Sequence, residues 1–299
     1  MIAKEIIQAE QGLSLKAKMR DYGQLIKFRL TFTVVFSAAM GFVIASSGTV
    51  NLSQLFWLVL GGFLTVGSAN GINQIIERNF DKLMLRTANR PIAQNRMGIT
   101  EAAIFCSILG IAGVGIINFF LNPMSSYLAA ASLLSYAFLY TPLKRVSPVA
   151  VFVGAFPGAI PPMLGYVAVT GVIDEVALAL FTIQFFWQFP HFWAIAWILD
   201  EDYQRAGYRL LPSFEGRGKR SARQMVWYTF VLIPLGLTPY WLGVSGIASA
   251  VVSVLAAVAF LYYAVKLLKT CSDKDAKVLM FASFLYLPTV LLAYVLDKL

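Results

Sequence analysis

The sequence predicts an all-α membrane protein, with nine transmembrane helices around a central cavity that opens to the cytoplasmic side and to lipid. Three observations predict it. Hydrophobic residues make up 59% of the 299 and charged residues 13%, with a mean hydropathy of +0.71; a soluble domain needs more polar surface than this. Apolar runs of about 18 to 25 residues, each long enough to cross a roughly 30 Å hydrocarbon layer as a helix, occur at 25–46, 55–76, 102–121, 125–141, 149–169, 176–199, 225–243, 246–267 and 278–296. The basic residues gather in alternate connections between those runs.

That distribution decides what the net charge of +9 means. Of the 24 Lys and Arg, 23 lie in the amino-terminal segment and the connections 77–100, 142–148, 200–223 and 266–277, and only Lys298 lies at the other end. A nucleic-acid partner does not explain such alternation. The positive-inside rule does, and it places the amino terminus and the charged loops in the cytoplasm and the carboxyl terminus outside. Residues 1–24 read as a cytoplasmic segment, with residues 25–299 as one nine-helix domain. Glu5 and Glu10 argue against a secretory signal and against an Arg-rich presequence, so a bacterial plasma membrane is the expected home. Cys106 in a span and Cys271 in a loop do not form a disulfide framework.

The first span opens on Lys27-Phe28-Arg29, whose cations read as snorkelling interface anchors. The second carries Ser68, Ala69, Asn70, Gly71 and Asn73, small or polar groups that permit close helix approach and leave room for a ligand. Its end runs into NQIIERNFDKLMLRTANRP, residues 73–91. Asn73, Glu77 and Asp81 are spaced to share one helix face. Lys82, Arg86 and Arg90 follow directly. A solvated loop of mixed charge would have this composition. Carboxylates holding Mg²⁺ beside Arg and Lys would instead bind a diphosphate, through metal bridging and guanidinium contacts. Acids at a membrane edge are costly to bury and mark sites, which favours the second reading.

The third and fourth spans, joined at Asn122-Pro123, read as scaffold. The fourth ends in LYTPLKRVSP, which brings Tyr140, Thr141, Lys144 and Arg145 to the cytoplasmic face as a second candidate phosphate clamp, or as a topology signal alone. The fifth holds Gly154, Pro157, Gly158, Pro161, Pro162 and Gly165, so the helix is expected to be kinked or broken and to border a cavity, a kink needed for packing alone being the other reading. The sixth reads FFWQFPHFWAIAWILDEDYQRAGYRLLP and carries His191, the one histidine in the chain. On a continuous helix His191 and Asp202 would share a face roughly 16 Å apart along the axis. A lone histidine among Trp187, Trp193 and several Phe is a packing residue or a ligand, and the aromatic faces suit either a core or a cation. Asp200, Glu201 and Asp202 followed by Tyr203, Arg205 and Arg209 repeat the order of acids then bases seen after the second span. The last three spans read as scaffold. No span has a charge near its middle, which disfavours a proton relay or ion pathway.

Taken together these residues resemble the intramembrane prenyltransferases of the UbiA type, and within them the haem-farnesylating branch. The resemblance covers nearly the whole chain. It is carried by Asn73-x3-Glu77-x3-Asp81, Met84, Arg86-Thr87, Arg90-Pro91, the Tyr140 to Arg145 run, Gly158-Ala-Ile-Pro-Pro162, Pro190-His191-Phe192-Trp193, and Asp202-Tyr203 through Ala206-Gly207 to Leu211-Pro212. Two departures are visible: Ala206 stands four residues after Asp202, where the family commonly has a further Asp, and Phe28 replaces a Pro between Lys27 and Arg29. The resemblance implies transfer of a farnesyl group from farnesyl diphosphate to a vinyl group of haem B, with water added. It implies Asn73, Glu77, Asp81 and Asp202 as catalytic residues, with Mg²⁺ on Glu77, Asp81 and Asp202. Lys82, Arg86, Arg90, Lys144, Arg145, Tyr203 and Arg209 would hold diphosphate, and His191, Trp187 and Trp193 the haem. A haem A synthase or a terminal oxidase is the implied assembly partner. A prenyltransferase for a quinone precursor or other aromatic acceptor, and a polytopic haem or lipid carrier, remain alternatives.

Overall fold

The protein is described here by a computed structural model covering residues 15–213 and 215–299. Residues 1–14 of the expected cytoplasmic segment lie outside the described residues. Residues 15–25 form α1. The long elements are α2 (Phe28–Ala45), α3 (Leu52–Asp81), α4 (Ile99–Phe120) and α5 (Pro123–Leu134), which continues through a π-helical segment (Ser135–Tyr140) into α6 (Thr141–Leu143). Then come α7 (Ala150–Thr170), α8 (Glu175–Ile198), the short α9 (Asp200–Arg205), α10 (Lys219–Leu235), the short α11 (Thr238–Trp241), α12 (Ile247–Thr270) and α13 (Asp273–Leu296).

The apolar runs fall on α2, α3, α4, α5 with its π continuation, α7, α8, α12 and α13, while the run 225–243 is divided between α10 and α11. Six of these, α2, α3, α4, α7, α12 and α13, are long and apolar enough to cross a membrane, so the chain is a multi-pass membrane protein. Of the others, α5 passes into the π segment, α8 carries Gln184, Gln188 and His191, and α10 begins on Lys219, Arg220 and Arg223. Consecutive long helices pack on one another and α13 returns to α2, closing a ring; α2 also packs along α7, and α8 along α13. Lys298 fastens that closure by donating to the carbonyls of Val43 (3.2 Å) and Ser46 at the end of α2. The Val43 carbonyl also takes the Ser46 amide (3.3 Å), and the cation suits the carbonyl-rich end of a helix.

Two local features position the site. The chain turns between α1 and α2 at Lys27, whose φ of +50° puts a side-chain-bearing residue in the left-handed region at a cost of about 1 kcal/mol. The polar face of α3 holds that elbow. Gln74 donates to the carbonyls of Gln24 (2.9 Å) and Leu25 (2.7 Å), and Asn70 to Thr31 Oγ1 (3.1 Å).

In α7 the prolines leave carbonyls without an intrahelical donor. Pro161 frees that of Pro157, which accepts from Ser132 Oγ (3.1 Å), and Pro162 frees that of Gly158, which accepts from Gln184 Nε2 (2.7 Å). Neighbouring side chains therefore meet these two freed carbonyls, in a span that stays one continuous helix instead of breaking. α2 crosses α7 at Gly165, where a Cβ would stand 1.8 Å from the Ala38 carbonyl oxygen, so only glycine lets the backbones meet.

Candidate active site

α3 extends five residues past its predicted apolar run and so carries Asn73, Glu77 and Asp81 on one continuous helical face, all three buried. Each carboxylate holds a cation from elsewhere in the chain. Glu77 pairs with Lys144 (2.5 Å) and accepts a bond from the Tyr208 hydroxyl (3.3 Å). Asp81 accepts one Arg90 guanidinium nitrogen on both oxygens, at 2.7 and 2.8 Å. Asn73 Oδ1 accepts from Lys27 Nζ (3.1 Å), while its Nδ2 donates to Thr141 Oγ1 (3.2 Å). Arg86, Arg90 and Lys144 each lie near enough to Lys27 to repel its charge. Two acids thus face four cations, an excess of positive charge matched to an anionic ligand.

The loop after α3 and the segment after α8 close over this face. Arg145 stacks over Phe80 at 4.3 Å and Arg86 over Tyr203 at 5.9 Å. Lys144 lies 4.9 Å from the Tyr140 ring. Phe80, Pro142, Arg145, Val146, Ala206 and Gly207 line an open cleft of about 590 Å³, and Arg209 and Tyr208 line a neighbouring one of about 410 Å³. Burial, with Glu77 alongside, pushes the Tyr208 phenol above its ordinary range, so it remains a donor. Lys82 is exposed at the end of α3.

Asp202 is placed differently from the sequence expectation. Its Oδ1 accepts the Leu85 amide (2.7 Å) and its Oδ2 the Arg86 amide (3.2 Å), so it clamps the arginine-bearing loop instead of meeting Glu77 and Asp81. Asp200 and Glu201 are engaged by Arg217, at 3.4 and 2.9 Å. Among the described residues no three Asp, Glu, His or Cys side chains converge as a protein-only metal cage. Glu77 and Asp81 nonetheless fit Mg²⁺, because that ion takes one or two carboxylates and completes its sphere with water and phosphate oxygens.

The expected continuous helix from His191 to Asp202 is interrupted at Leu199 (φ −100°, ψ 14°), which separates α8 from α9. His191 is buried between α8 and α13, with Nδ1 2.7 Å from Ser283 Oγ. The Ser283 hydroxyl donates to the Met280 carbonyl (2.5 Å), so Nδ1 carries the proton and Nε2 is left with a lone pair. Trp187 stacks on the imidazole at 4.7 Å and donates to the Ser283 carbonyl (2.9 Å). Trp193, two residues on and roughly 200° round the helix, packs against Phe189 and Tyr228 instead.

The sequence profile of the UbiA prenyltransferase family matches residues 34–287. The chain belongs to the UbiA prenyltransferase family. It is a prenyltransferase by that membership. Among UbiA relatives, the protoheme IX farnesyltransferase of Cytophaga hutchinsonii is 49% identical over 284 residues, covering 95% of this chain and 99% of that protein. The protein of the same name from Flavobacterium psychrophilum is 42% identical over 291 residues, covering 95% and 96%. The UbiA fold is seen again in a digeranylgeranylglyceryl phosphate synthase structure, with a TM-score of 0.78 at 21% identity over 94% of this chain and 98% of that one. A UbiA homologue from Archaeoglobus fulgidus bound to GPP and Mg²⁺ gives a TM-score of 0.68 at 16% identity, covering 92% and 99%.

Three residues of this UbiA chain, Lys27, Tyr208 and Ser283, enter the candidate site without a role in the motif reading, and Thr141, read there as part of a phosphate clamp, meets Asn73 instead. Lys27 passes for an interface anchor because nothing local reveals the elbow that turns it inward. Tyr208 follows a Gly in a polar loop, and Ser283 is a hydroxyl in a segment without a charge pattern. Their partners are 46 to 131 residues away in sequence. Lys27 lies within the predicted apolar run 25–46, and its one usable signal is that it is a cation inside that run.

Proposed function

We propose that this chain transfers the farnesyl group of farnesyl diphosphate to a vinyl group of haem B, adds water and releases diphosphate, in an Mg²⁺-dependent reaction. What carries the reading is the meeting of two buried carboxylates with Lys27, Arg90 and Lys144 at the polar end of an apolar bundle. A greasy chain with a diphosphate head needs both environments side by side. The choice of haem as acceptor is supported by relatives named for that reaction at 49% and 42% identity over nearly the whole chain.

In this reading Lys27, Arg86, Arg90, Lys144 and Arg145 bind the diphosphate oxygens, with Lys82, Tyr203 and Arg209 at the outer edge. Glu77 and Asp81 would hold Mg²⁺, which when bound supplies neutralisation of the leaving diphosphate. Asp202 keeps the Arg86 loop in place. The farnesyl C1–O bond breaks with its electron pair leaving on diphosphate. The π pair of the vinyl group forms the new bond to C1 through its terminal carbon, and water adds to the inner carbon with loss of a proton. Tyr136 and Tyr140, with ring centroids 5.2 Å apart, present π faces suited to the allylic charge. We assign His191 Nε2 and the Trp187 face to haem positioning; Trp193 lies on another face of α8 and is a weaker candidate.

The charge distribution supports a cytoplasmic amino terminus and an outside carboxyl terminus, and the nine apolar runs support nine spans in residues 25–299 as the catalytic unit, in a bacterial plasma membrane. Diphosphate release tests the enzyme reading against a carrier. Purified protein given farnesyl diphosphate, haem B and Mg²⁺ is expected to release diphosphate over many turnovers. Binding of haem with no release would support the carrier instead.

A further inference from the structure

Thr141 is fully buried at the junction of the π-helical segment and α6, three residues before Lys144. Its hydroxyl donates to the Tyr136 carbonyl at 2.8 Å, an acceptor that also takes the Thr141 backbone N–H. A hydroxyl has one hydrogen, so Thr141 Oγ1 can meet the Asn73 side chain at 3.2 Å only as an acceptor. Asn73 must then present its NH₂ to Thr141, and its oxygen is turned to Lys27. Lys27 carries only donors, so the far end of the chain of bonds demands the same orientation. The directions of three successive bonds are consistent from Lys27 to the Tyr136 carbonyl. The flipped amide would face NH₂ to ammonium at one end and oxygen to a lone pair at the other.

We infer that Thr141 is a positioning residue that sets the orientation of the Asn73 amide and, through it, holds the Lys27 ammonium in place for the diphosphate. The inference rests on the diphosphate reading proposed above. Lys27 cannot be placed by its own backbone alone, since a four-carbon stem leaves its ammonium free to swing out to the membrane interface. The left-handed elbow points the stem inward and Asn73 Oδ1 gives its head an anchor. The π-helical turn is the device that brings Thr141 to that anchor, in keeping with the frequent occurrence of π segments at functional sites.

The test uses inorganic pyrophosphate with Mg²⁺, titrated calorimetrically into the detergent-solubilised full chain, with a thermal melt on every variant. Thr141→Val keeps the shape and removes the acceptor; pyrophosphate affinity should fall about tenfold, as for loss of a hydrogen bond to a charged group. Thr141→Ser should stay within about twofold of wild type, and haem affinity should be unchanged in both. Because Thr141 acts through Lys27, the Lys27→Ala, Thr141→Val double variant should bind no more weakly than Lys27→Ala alone. If Thr141→Val does not fold, Thr141→Ala takes its place in the same cycle. Unchanged affinity on loss of the hydroxyl, failure of Ser to rescue, or multiplying losses in the double variant would each overturn the positioning role. Wild-type protein that does not bind pyrophosphate at all would overturn the diphosphate reading, and with it any role of Thr141 in it.

Discussion

Glu77 and Asp81 are one helical turn apart, and each is held by a cation on a different segment. Asp81→Asn keeps the shape and removes one hard ligand, so turnover should fall by about a hundredfold or more while the protein still purifies folded; a Mg²⁺ titration with near-normal turnover would contradict this. Arg90 uses one nitrogen for Asp81, which leaves the rest of its fork for phosphate. Arg90→Lys should therefore raise KM for farnesyl diphosphate about tenfold although charge is kept, and an unchanged KM would reduce Arg90 to a structural partner of Asp81. His191→Ala should lose haem affinity while pyrophosphate binding persists, because histidine and diphosphate residues lie at different depths along α8 and α3. Equal weakening of both ligands, with a lowered melting temperature, is the signature of a packing histidine. The spacing of Asn73, Glu77 and Asp81 was legible because a helix converts it directly into a shared face. The partners of these residues were not, since Lys144, Tyr208 and Lys27 reach them from segments that sequence periodicity does not relate. Asp202 shows the converse: an acid in a motif position whose oxygens go to two backbone amides.

At the scale of elements, α7 was legible as irregular from its prolines, but the donors that tolerate them belong to neighbours. Gln184 is the informative case. Gln184→Leu leaves the Gly158 carbonyl unsatisfied in a dry interface and should cost roughly 1–3 kcal/mol, visible as a lowered thermal midpoint, with haem and pyrophosphate affinities retained in the folded fraction. A midpoint equal to wild type would mean that water reaches the carbonyl. The break at Leu199 was illegible for a related reason. Nothing between His191 and Asp202 is a helix breaker, and Pro190 just before them lies within α8, so the turn after Ile198 reflects the packing of the acidic segment against Arg217 and the Leu85 loop.

For the whole molecule, the all-helical, multi-pass character followed from apolar length, although six helices rather than nine are long and apolar enough to cross a membrane, and the clustering of polar chemistry at one end followed from the alternation of basic connections. Ring closure did not follow. The contact of α13 with α2 and the capping of α2 by Lys298 join the two ends of the sequence, and the cation that appeared to mark only the opposite face has a structural partner there. The architecture places an apolar bundle under a cation-rich rim, and in the proposed function one substrate head is held at that rim while its chain and a flat macrocycle lie among the helices. The most direct test of that account is mass spectrometry of the haem product after incubation of the purified chain with farnesyl diphosphate, haem B and Mg²⁺. The account predicts haem carrying one farnesyl group and one added water, formed by wild type and not by Asp81→Asn. Unmodified haem, or a farnesylated quinone precursor in its place when both acceptors are supplied, would contradict it.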